Sequence, residues 1–350
     1  MIAVEYHGDL KEVQSGAVAT GGADAPLHAL LDAPAQRAPF DRLAWWQGLA
    51  AHCGLAPTIA VARSEQALAV LPLTGTGGHL EALANWYTFR FRPVISPGGD
   101  APALLEAIAR DLARRAHRVT LTGMPDEDGS ASAVEAAFRA AGWIVRREAC
   151  GVNHVLPVEG RSYARFLAAR PGPLRTTLKR KAGKVETRVL TRFDADVWDA
   201  YEAIYRESWK PEEGSPAFLR AFAEAEGAAG RLRLGVAHAV AGELAGQAVA
   251  AQMWTVEGNT AFIHKLAHRQ AAKSLSPGSV LSAALFRHVL DTDRVGLVDF
   301  GTGDDPYKRD WMEQVRTRYR LDMFRPMAPR NWPVFARAGL RRLAGRGERR

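Results

Sequence analysis

The fold is decided by residues 261–312, which read AFIHKLAHRQAAKSLSPGSVLSAALFRHVLDTDRVGLVDFGTGDDPYKRDWM. The segment AFIHKLAH is typical of a strand, and the polar loop after it leads to a helix that begins at Pro277, with Ser276 as its N-cap. GLVDFG is an apolar run that predicts a buried strand, and a short helix follows it around Asp305 to Met312. Strands and helices therefore alternate through this stretch.

The rest of the chain repeats this alternation of patterns. Apolar residues at helical spacing alternate with short strand-like runs, and each half reads helix, antiparallel strands, helix, strand, helix, strand. We therefore predict two copies of one α+β unit. The predicted boundaries are residues 1–158 for the N-terminal unit, 159–192 for a basic helical bridge, 193–328 for the C-terminal unit and 329–350 for a basic tail.

The composition is that of an ordinary globular protein, with 47% apolar and 24% charged residues. Two cysteines, Cys53 and Cys150, exclude a disulfide framework and a cysteine-based zinc site, and they fit a reducing compartment. The first residues lack the pattern of a signal peptide, and no apolar run is long enough to predict a membrane span. We therefore expect a cytoplasmic protein without a bound metal.

The net charge of +8 is concentrated in two segments. Between residues 161 and 190, nine basic residues face only Glu186, and the last 26 residues carry eight arginines against Glu348. Such segments attract phosphates on nucleotides, tRNA or anionic lipid, although a solvated helix face and a frayed tail are the structural alternatives. The tail, which we expect the fold not to need, can form a basic amphipathic helix over residues 332–345. That helix predicts peripheral contact with the anionic inner-membrane surface.

The start of the helix at Pro277 is a candidate phosphate site. A helix N-terminus carries unpaired N–H groups and about half a positive charge, which suits a pyrophosphate. Flanking cations add ion pairing. The candidate cofactor-binding residues are Arg269, Lys273, Ser276, Gly278 and Ser279. A well-capped helix after a surface loop is the structural alternative.

The turn after the buried strand is a candidate active site. Asp299, Asp304 and Asp305 surround two glycines at the end of the strand, and Tyr307 and Lys308 follow at once. Carboxylates, a phenol and an ammonium on a strand-to-helix turn are common in active sites. An ordinary turn with an aspartate helix cap is the alternative. His264 and His268 are interpreted as structural, and neither cysteine carries the signature of a nucleophile.

The run IHKLAH…SPGSVL…VDFGTGDDPYKRDW resembles the GNAT-like acyltransferase domain of proteins from bacterial cellulose and exopolysaccharide gene clusters. These proteins are distant relatives of the Fem-type peptidyltransferases. The segments LRTTLKRKAGK and ESWK resemble further parts of that domain. The resemblance is specific over about residues 163–311 and looser over 39–158, where LAVLPLTG and ANWYTF match the usual N-terminal half.

This resemblance implies a tandem GNAT-like fold, in which each unit is a mixed, mostly antiparallel sheet flanked by helices. It also implies acyl transfer from acyl-CoA, as co-substrate, to an amine or hydroxyl acceptor in envelope or exopolysaccharide metabolism. Arg269 to Gly278 stands where the family's pyrophosphate loop lies, but it is longer and lacks the loop's first glycine. The implied partners are a small-molecule, glycan or lipid acceptor and a polysaccharide synthase.

The chemistry of acyl transfer assigns roles to the candidate turn. Asp304 or Asp305 takes the proton of the acceptor, and Tyr307 protonates the leaving thiolate. We expect Lys265, Lys308 and Asp299 to bind the substrate, and either lysine can instead stabilise an oxyanion.

Two other functions stay open. The first is an aminoacyl-tRNA-dependent Fem-like peptidyltransferase in which Arg175 to Lys184 binds the tRNA. The chain lacks the long heptad-bearing insertion of some Fem proteins, which makes tRNA the less favoured partner. The second is an inactive binding subunit of a polysaccharide machine.

Overall fold

A computed structural model describes residues 1–15 and 27–336 of the chain. Within this part, thirteen strands form one continuous mixed sheet with helices packed against it, which confirms the predicted α+β class. The described residues include no helix of the length and apolarity that crossing a bilayer requires. Of the predicted basic tail, residues 337–350 lie outside the described residues. Phe335, at the start of the tail, packs edge-on against Phe324.

The strands vary from two to fourteen residues in length. They are β1 (Ala3–His7), β2 (Pro57–Arg63), β3 (Leu68–Thr76), β4 (His79–Ala82), β5 (Val94–Ile95), β6 (Arg118–Met124), β7 (Ile144–Pro157), β8 (Val185–Leu190), β9 (Leu232–Ala239), β10 (Ala248–Glu257), β11 (Thr260–His268), β12 (Leu297–Thr302) and β13 (Gln314–Phe324).

The α-helices separate these strands along the chain. They are α1 (Leu10–Ser15), α2 (Leu27–Leu30), α3 (Leu43–Cys53), α4 (Ala101–Leu112), α5 (Ser130–Ala140), α6 (Tyr163–Ala168), α7 (Gly172–Lys181), α8 (Ala195–Arg206), α9 (Pro216–Ala228), α10 (Pro277–Arg287) and α11 (Pro306–Trp311).

The two predicted units share strands within the sheet. The strand order is β1-β2-β3-β4-β6-β13-β7-β12-β11-β10-β9-β8, with β5 paired to β3. The last strand of the C-terminal half, β13, therefore lies between β6 and β7 of the N-terminal half, antiparallel to both. The sheet joins the halves without a break, and the predicted boundaries at residues 158 and 193 stay a prediction.

Two parallel strands in the C-terminal half diverge. β11 and β12 pair only through Thr260, Ala261 and Phe262, opposite residues 297–299. β12 remains paired to β7 as far as Thr302, while β11 continues beside β10. A cleft opens between the diverging ends.

Local signals explain most of the helix ends. Ser215 accepts a hydrogen bond from the Phe218 N–H, and Pro216 begins α9. Gly54 ends α3 in the left-handed conformation. One expected cap is wrong: the Ser276 side chain makes no capping hydrogen bond, because the Ser276 backbone has the left-handed conformation, with φ of 51°.

Three apolar clusters form the core. One lies within the N-terminal half but includes Leu321 and Met323 of β13, and one lies in the C-terminal half but includes Leu156 of β7. The third joins the halves and contains both Trp46 and Trp198. Burial of apolar side chains from both halves in one cluster stabilises them as a unit.

A buried ion cluster also joins the halves. Arg42 contacts Glu226 at 3.0 Å and Glu257 at 3.1 Å, and all three side chains are at most 5% exposed. Burial, with a smaller contribution from Glu226, raises the pKa of Glu257 to about 7 despite the nearby Arg42.

We expect the free energy of unfolding of the wild type to fall, relative to Glu257→Gln, as the pH rises from about 5 to about 8. The folded state holds the Glu257 proton more tightly than the unfolded chain, in which a glutamate pKa is about 4.3. Between the two pKa values the folded state binds more protons, so a rise in pH favours unfolding. The change is on the order of 3 kcal/mol. Urea unfolding across this range measures it, and a difference that does not vary with pH would contradict the assignment.

Candidate active site

A cavity of about 150 Å³ opens where β11 and β12 diverge. Among its lining residues are four of the predicted site residues, Lys265, Asp305, Tyr307 and Lys308. The other lining residues come from both halves of the chain and are mostly aromatic or apolar: Trp45, Trp86, Tyr87, Phe89, Lys210, Leu219, Ile263, His264, Leu266, Phe300, Gly301 and Thr302. The two diverging strands and the turn after β12 therefore build one site.

Asp299 braces the end of β12 and does not line the cavity. Its Oδ1 accepts a hydrogen bond from the Gly301 N–H at 2.8 Å, and both of its oxygens lie 3.3 Å from the Asn153 amide on β7. The register of β12 against β7 shifts at this point. Burial raises the pKa of Asp299. The carboxyl is thus occupied by the Gly301 N–H and the Asn153 side chain, and the predicted substrate-binding role of Asp299 stays a prediction.

Lys308 holds the turn closed. Its side chain is buried, and its ammonium donates to the carbonyl oxygens of Thr302 and Gly303. Burial lowers the pKa of Lys308, although nearby carboxylates, Asp305 first, oppose the change. Lys308 reaches the cavity as predicted, but its hydrogen bonds shape the turn.

Asp304 and Asp305 occupy different environments. Asp304 is half exposed and lies outside the cavity lining, because it accepts from Arg309 at 2.7 Å and contacts His154 Nε2 at 2.9 Å. These two hydrogen bonds lower the pKa of Asp304. Asp305 lines the cavity, and its side chain makes no capping hydrogen bond to α11. Of the two predicted bases, only Asp305 faces the cleft.

Tyr307 also faces the cleft. Its ring packs edge-on against Phe300, with ring centroids 5.6 Å apart. Burial, followed by the negative charge of Asp305, raises the pKa of Tyr307. The phenol therefore keeps its proton at neutral pH, which is the state that a proton donor requires.

Lys265 is held by an acidic residue from another element. Its ammonium lies 2.8 Å from Glu213, which also accepts a hydrogen bond from the Tyr87 hydroxyl at 2.6 Å. The Tyr87 oxygen in turn accepts from the Ser215 N–H. Burial lowers the pKa of Lys265, and Glu213 opposes the change. This chain of contacts ties β11 to the loop before α9 and to the N-terminal half.

His264 is the bulged residue of a β-bulge in β11. The register between β10 and β11 shifts there, and His264 has no partner on β10. A bulge of this kind turns a side chain away from its regular direction. His264 Nε2 lies 2.8 Å from Thr255 Oγ1 among aromatic rings, and burial lowers its pKa to about 3. The imidazole is neutral at physiological pH, in agreement with the predicted structural role.

The residues predicted to bind phosphate do not line the cavity. They lie in the loop before α10 and in the first turn of that helix. Arg269 pairs with Glu207 at 2.6 Å and donates to the Ala248 carbonyl, so its charge is already matched. Lys273 is exposed. Gly278 lies in the first turn of α10, and a side chain added there would make ordinary contact with His268. Ser276 and Ser279 are half-buried, and neither forms a side-chain hydrogen bond with the described residues.

The basic helix α7 lies beside the same loop. Lys181 donates a hydrogen bond to the Ser274 carbonyl at 2.7 Å. The last turn of α7 contains Lys179, Arg180 and Lys181. This contact places the C-terminal end of α7 beside the loop that precedes Pro277.

Several residues of the site were not predicted. Glu213, Tyr201 and Tyr205 carried no motif, although the acidic pair Glu212-Glu213 stands beside a proline and a glycine, as a functional loop often does. Tyr87 and Lys210 lie within the segments ANWYTF and ESWK, which were compared with the family without a role for either residue.

The family profile described as "Acetyltransferase (GNAT) domain" matches residues 173–309. A comparison with curated proteins found no match. The profile covers β11, β12 and the turn after β12 as far as Arg309, but not the cavity residues that come from the N-terminal half.

Solved structures match most of the chain. FemX is 9% identical, with a TM-score of 0.58 over 91% of this chain and 96% of FemX. The C-terminal domain (DUF2156) of a putative lysylphosphatidylglycerol synthetase from Agrobacterium fabrum is 13% identical, with a TM-score of 0.52 over 80% and 87%. A tandem GNAT protein from the clavulanic acid biosynthesis pathway is 14% identical, with a TM-score of 0.50 over 91% and 98%. Residues 173–309 thus match a GNAT domain, and the described residues have the predicted tandem GNAT-like fold.

Proposed function

We propose that this protein transfers an acyl group from acyl-CoA to an amine or hydroxyl acceptor in the cleft between β11 and β12. The observation that carries the proposal is the divergence of these strands after Phe262, which brings Lys265, Asp305 and Tyr307 to one cavity. The GNAT match over residues 173–309 supports the same reaction class.

The reaction needs two proton transfers. The acceptor nitrogen or oxygen attacks the thioester carbonyl and gives its proton to Asp305. The tetrahedral intermediate then collapses, the carbon–sulfur bond breaks, and Tyr307 protonates the leaving thiolate. The Lys265 ammonium stabilises negative charge on the carbonyl oxygen. Proton transfer from Asp305 back to Tyr307, directly or through solvent, restores the enzyme.

The donor's phosphates belong at the N-terminus of α10. The unpaired N–H groups of that helix and its dipole favour an anion, and Lys273 and the end of α7 add positive charge. The same surface supports the second candidate, an aminoacyl-tRNA donor, because the contact between Lys181 and Ser274 places a basic helix beside the loop. A salt titration of tRNA binding separates the two donors, since phosphate contacts weaken steeply with salt.

The biological setting follows from the family resemblance. We place the reaction in envelope or exopolysaccharide metabolism because the run from Ile263 to Trp311 resembles domains from such gene clusters. Under this proposal the acceptor is a glycan, lipid or other small molecule, and the basic tail contacts an anionic membrane or a synthase. A folded protein that binds donor and acceptor but shows no turnover would favour the inactive binding subunit.

We expect Gly278→Asp to abolish acyl-CoA binding in a folded protein. The new carboxylate would stand in the first turn of α10 and repel the pyrophosphate, and the space there accepts a side chain. Calorimetry with acetyl-CoA measures binding, and Gly8→Asp, at an exposed glycine with open space around it, is the matched control. Unchanged affinity in Gly278→Asp would remove the helix N-terminus from the donor site.

We expect Tyr307→Phe to lower kcat by about 10² to 10⁴-fold and to leave acetyl-CoA binding nearly unchanged. The ring still packs on Phe300, so only the proton donor is lost. Thiol release gives kcat, and Tyr319→Phe on β13 is the control for removal of a tyrosine hydroxyl elsewhere. Equal turnover in wild type and Tyr307→Phe would exclude the phenol as the acid.

The two aspartates of the turn are distinguished by parallel substitutions. We expect Asp305→Asn to lower kcat at least about 10²-fold, as loss of a general base does. Asp304→Asn should change it little, because its carboxylate is occupied by Arg309 and His154. Steady-state kinetics and melting temperatures for both variants make the comparison, and the reverse order of effects would assign the base to Asp304.

A further inference from the structure

A second, larger cavity adjoins the cleft. Its volume is about 530 Å³, and it shares Lys210 and Leu219 with the cleft cavity. Its walls are the inner face of α8 and the loop that leads to α9. The lining residues are Trp198, Tyr201, Glu202, Tyr205, Arg206, Lys210, Pro211, Glu212, Glu213, Pro216 and Leu219. A molecule in this cavity would reach the diverging strands past Lys210.

A buried hydroxyl in this cavity lacks a partner. Tyr201 is 2% exposed, and its hydroxyl has no hydrogen-bond partner within residues 1–15 and 27–336. The neighbouring Tyr87 hydroxyl, by contrast, is bonded to Glu213 and Ser215. An unpaired buried hydroxyl is costly, and buried polar groups normally find a partner. The Tyr201 hydroxyl is therefore available to a polar group of a ligand.

The three lysines around the two cavities differ in how their charges are matched. Lys265 is paired with Glu213, and Lys308 donates to two carbonyl oxygens. Lys210 forms no salt bridge with any carboxylate of the described residues, and its ammonium lies 5.9 Å from the Trp209 ring. Burial, followed by the repulsion of Lys265, lowers the pKa of Lys210 to about 8, so that it is mostly protonated at pH 7. Glu213 and Asp305 lie near enough to oppose this change, but within the described residues neither comes within salt-bridge distance of Lys210, which is therefore a cation without a direct partner at the junction of the cavities.

The acidic residues of the larger cavity do not fill this role. Glu213 is matched by Lys265, and Glu202 accepts a hydrogen bond from the Trp198 indole at 2.8 Å. Glu212 is exposed, on the loop that carries Lys210. A ligand anion is therefore favoured at Lys210 and disfavoured beside the carboxylates.

We propose that the acceptor carries an anionic group, a carboxylate or a phosphate, which Lys210 binds at the junction of the two cavities. The body of the acceptor lies in the larger cavity and forms a hydrogen bond with the Tyr201 hydroxyl. Its nucleophile then faces the cleft between β11 and β12. This assignment rests on the proposed acyl transfer and adds the substrate class.

The test measures acceptor binding without a donor. Wild-type protein, Lys210→Gln, Tyr201→Phe and the control Lys11→Gln, at an exposed lysine outside both cavities, are titrated by NMR with three matched pairs of probes. These are phosphoethanolamine and ethanolamine, glucosamine 6-phosphate and glucosamine, and phenylalanine and phenylalaninamide. The phosphate pairs and the carboxylate pair separate the two sources of the anionic group.

We expect at least one probe with the anionic group to bind wild type and Lys11→Gln at least tenfold more tightly than its counterpart without that group, and Lys210→Gln to lose this preference. Tyr201→Phe should weaken binding of that probe and leave the melting temperature of the free protein equal or higher, because an unpaired buried hydroxyl is removed. Equal binding within every pair, binding of none of the probes that carry the anionic group, or a preference that survives in Lys210→Gln would each overturn the proposal.

Titration of the same samples with acetyl-CoA keeps the two proposals apart. If the wild type does not bind acetyl-CoA, this counts against the proposed function, and the acceptor result still stands. Normal acetyl-CoA binding in Lys210→Gln, together with the lost preference, would assign Lys210 to the acceptor alone.

Discussion

The site depends on the hydrogen bonds by which Asp299 diverts β12 away from β11. The carboxyl binds the Gly301 N–H and the Asn153 amide, so β12 stays with β7 after its pairing with β11 has ended. Gly301 has a φ of 69°, and a side chain at this position would lie within 3 Å of the Phe89 ring. Glycine is therefore required both for the backbone conformation and for the close approach of the N-terminal half. At this turn β12 leaves β11 and follows β7, and the cleft opens between the two parallel strands.

The buried cations around the cleft are held by different partners. The buried ammonium of Lys308 fixes the turn, and that of Lys265 fixes the loop before α9 through Glu213. Pairing of this kind offsets the cost of removing a charge from water. The other charged residues of the cleft lining, Lys210 and Asp305, face the space where substrates would lie. Lys308 thus shapes the turn, whereas Lys265 is held by Glu213 and also lines the cavity, where we propose that it meets the substrate.

Local signals made most of the fold predictable, and distant pairings made the rest unpredictable. The N-cap of α9 at Ser215 and the C-terminal end of α3 at Gly54 depend on residues that are neighbours in the sequence. By contrast, the position of β13 between β6 and β7 is a long-range pairing without a local signature, and the edge strand β8, with its polar residues, was not predicted. Within the site, Asp305 and Tyr307 follow from one turn, but the contacts of Glu213 with Lys265 and Tyr87 span 52 and 126 residues. No spacing rule connects residues so far apart.

The interleaved sheet explains why the N-terminal half belongs to the site although the profile match begins only at Pro173. Trp45, Trp86, Tyr87 and Phe89 line the cleft cavity, and the Tyr87 hydroxyl holds the acidic residue that pairs with Lys265. β13 joins the halves within the sheet, and the core cluster that contains Trp46 and Trp198 joins them through apolar packing. A second GNAT-like unit that only repeated the first would need none of these contacts. In this chain the N-terminal unit supplies one wall of the cavity, so the geometry of the cleft depends on both halves being folded together.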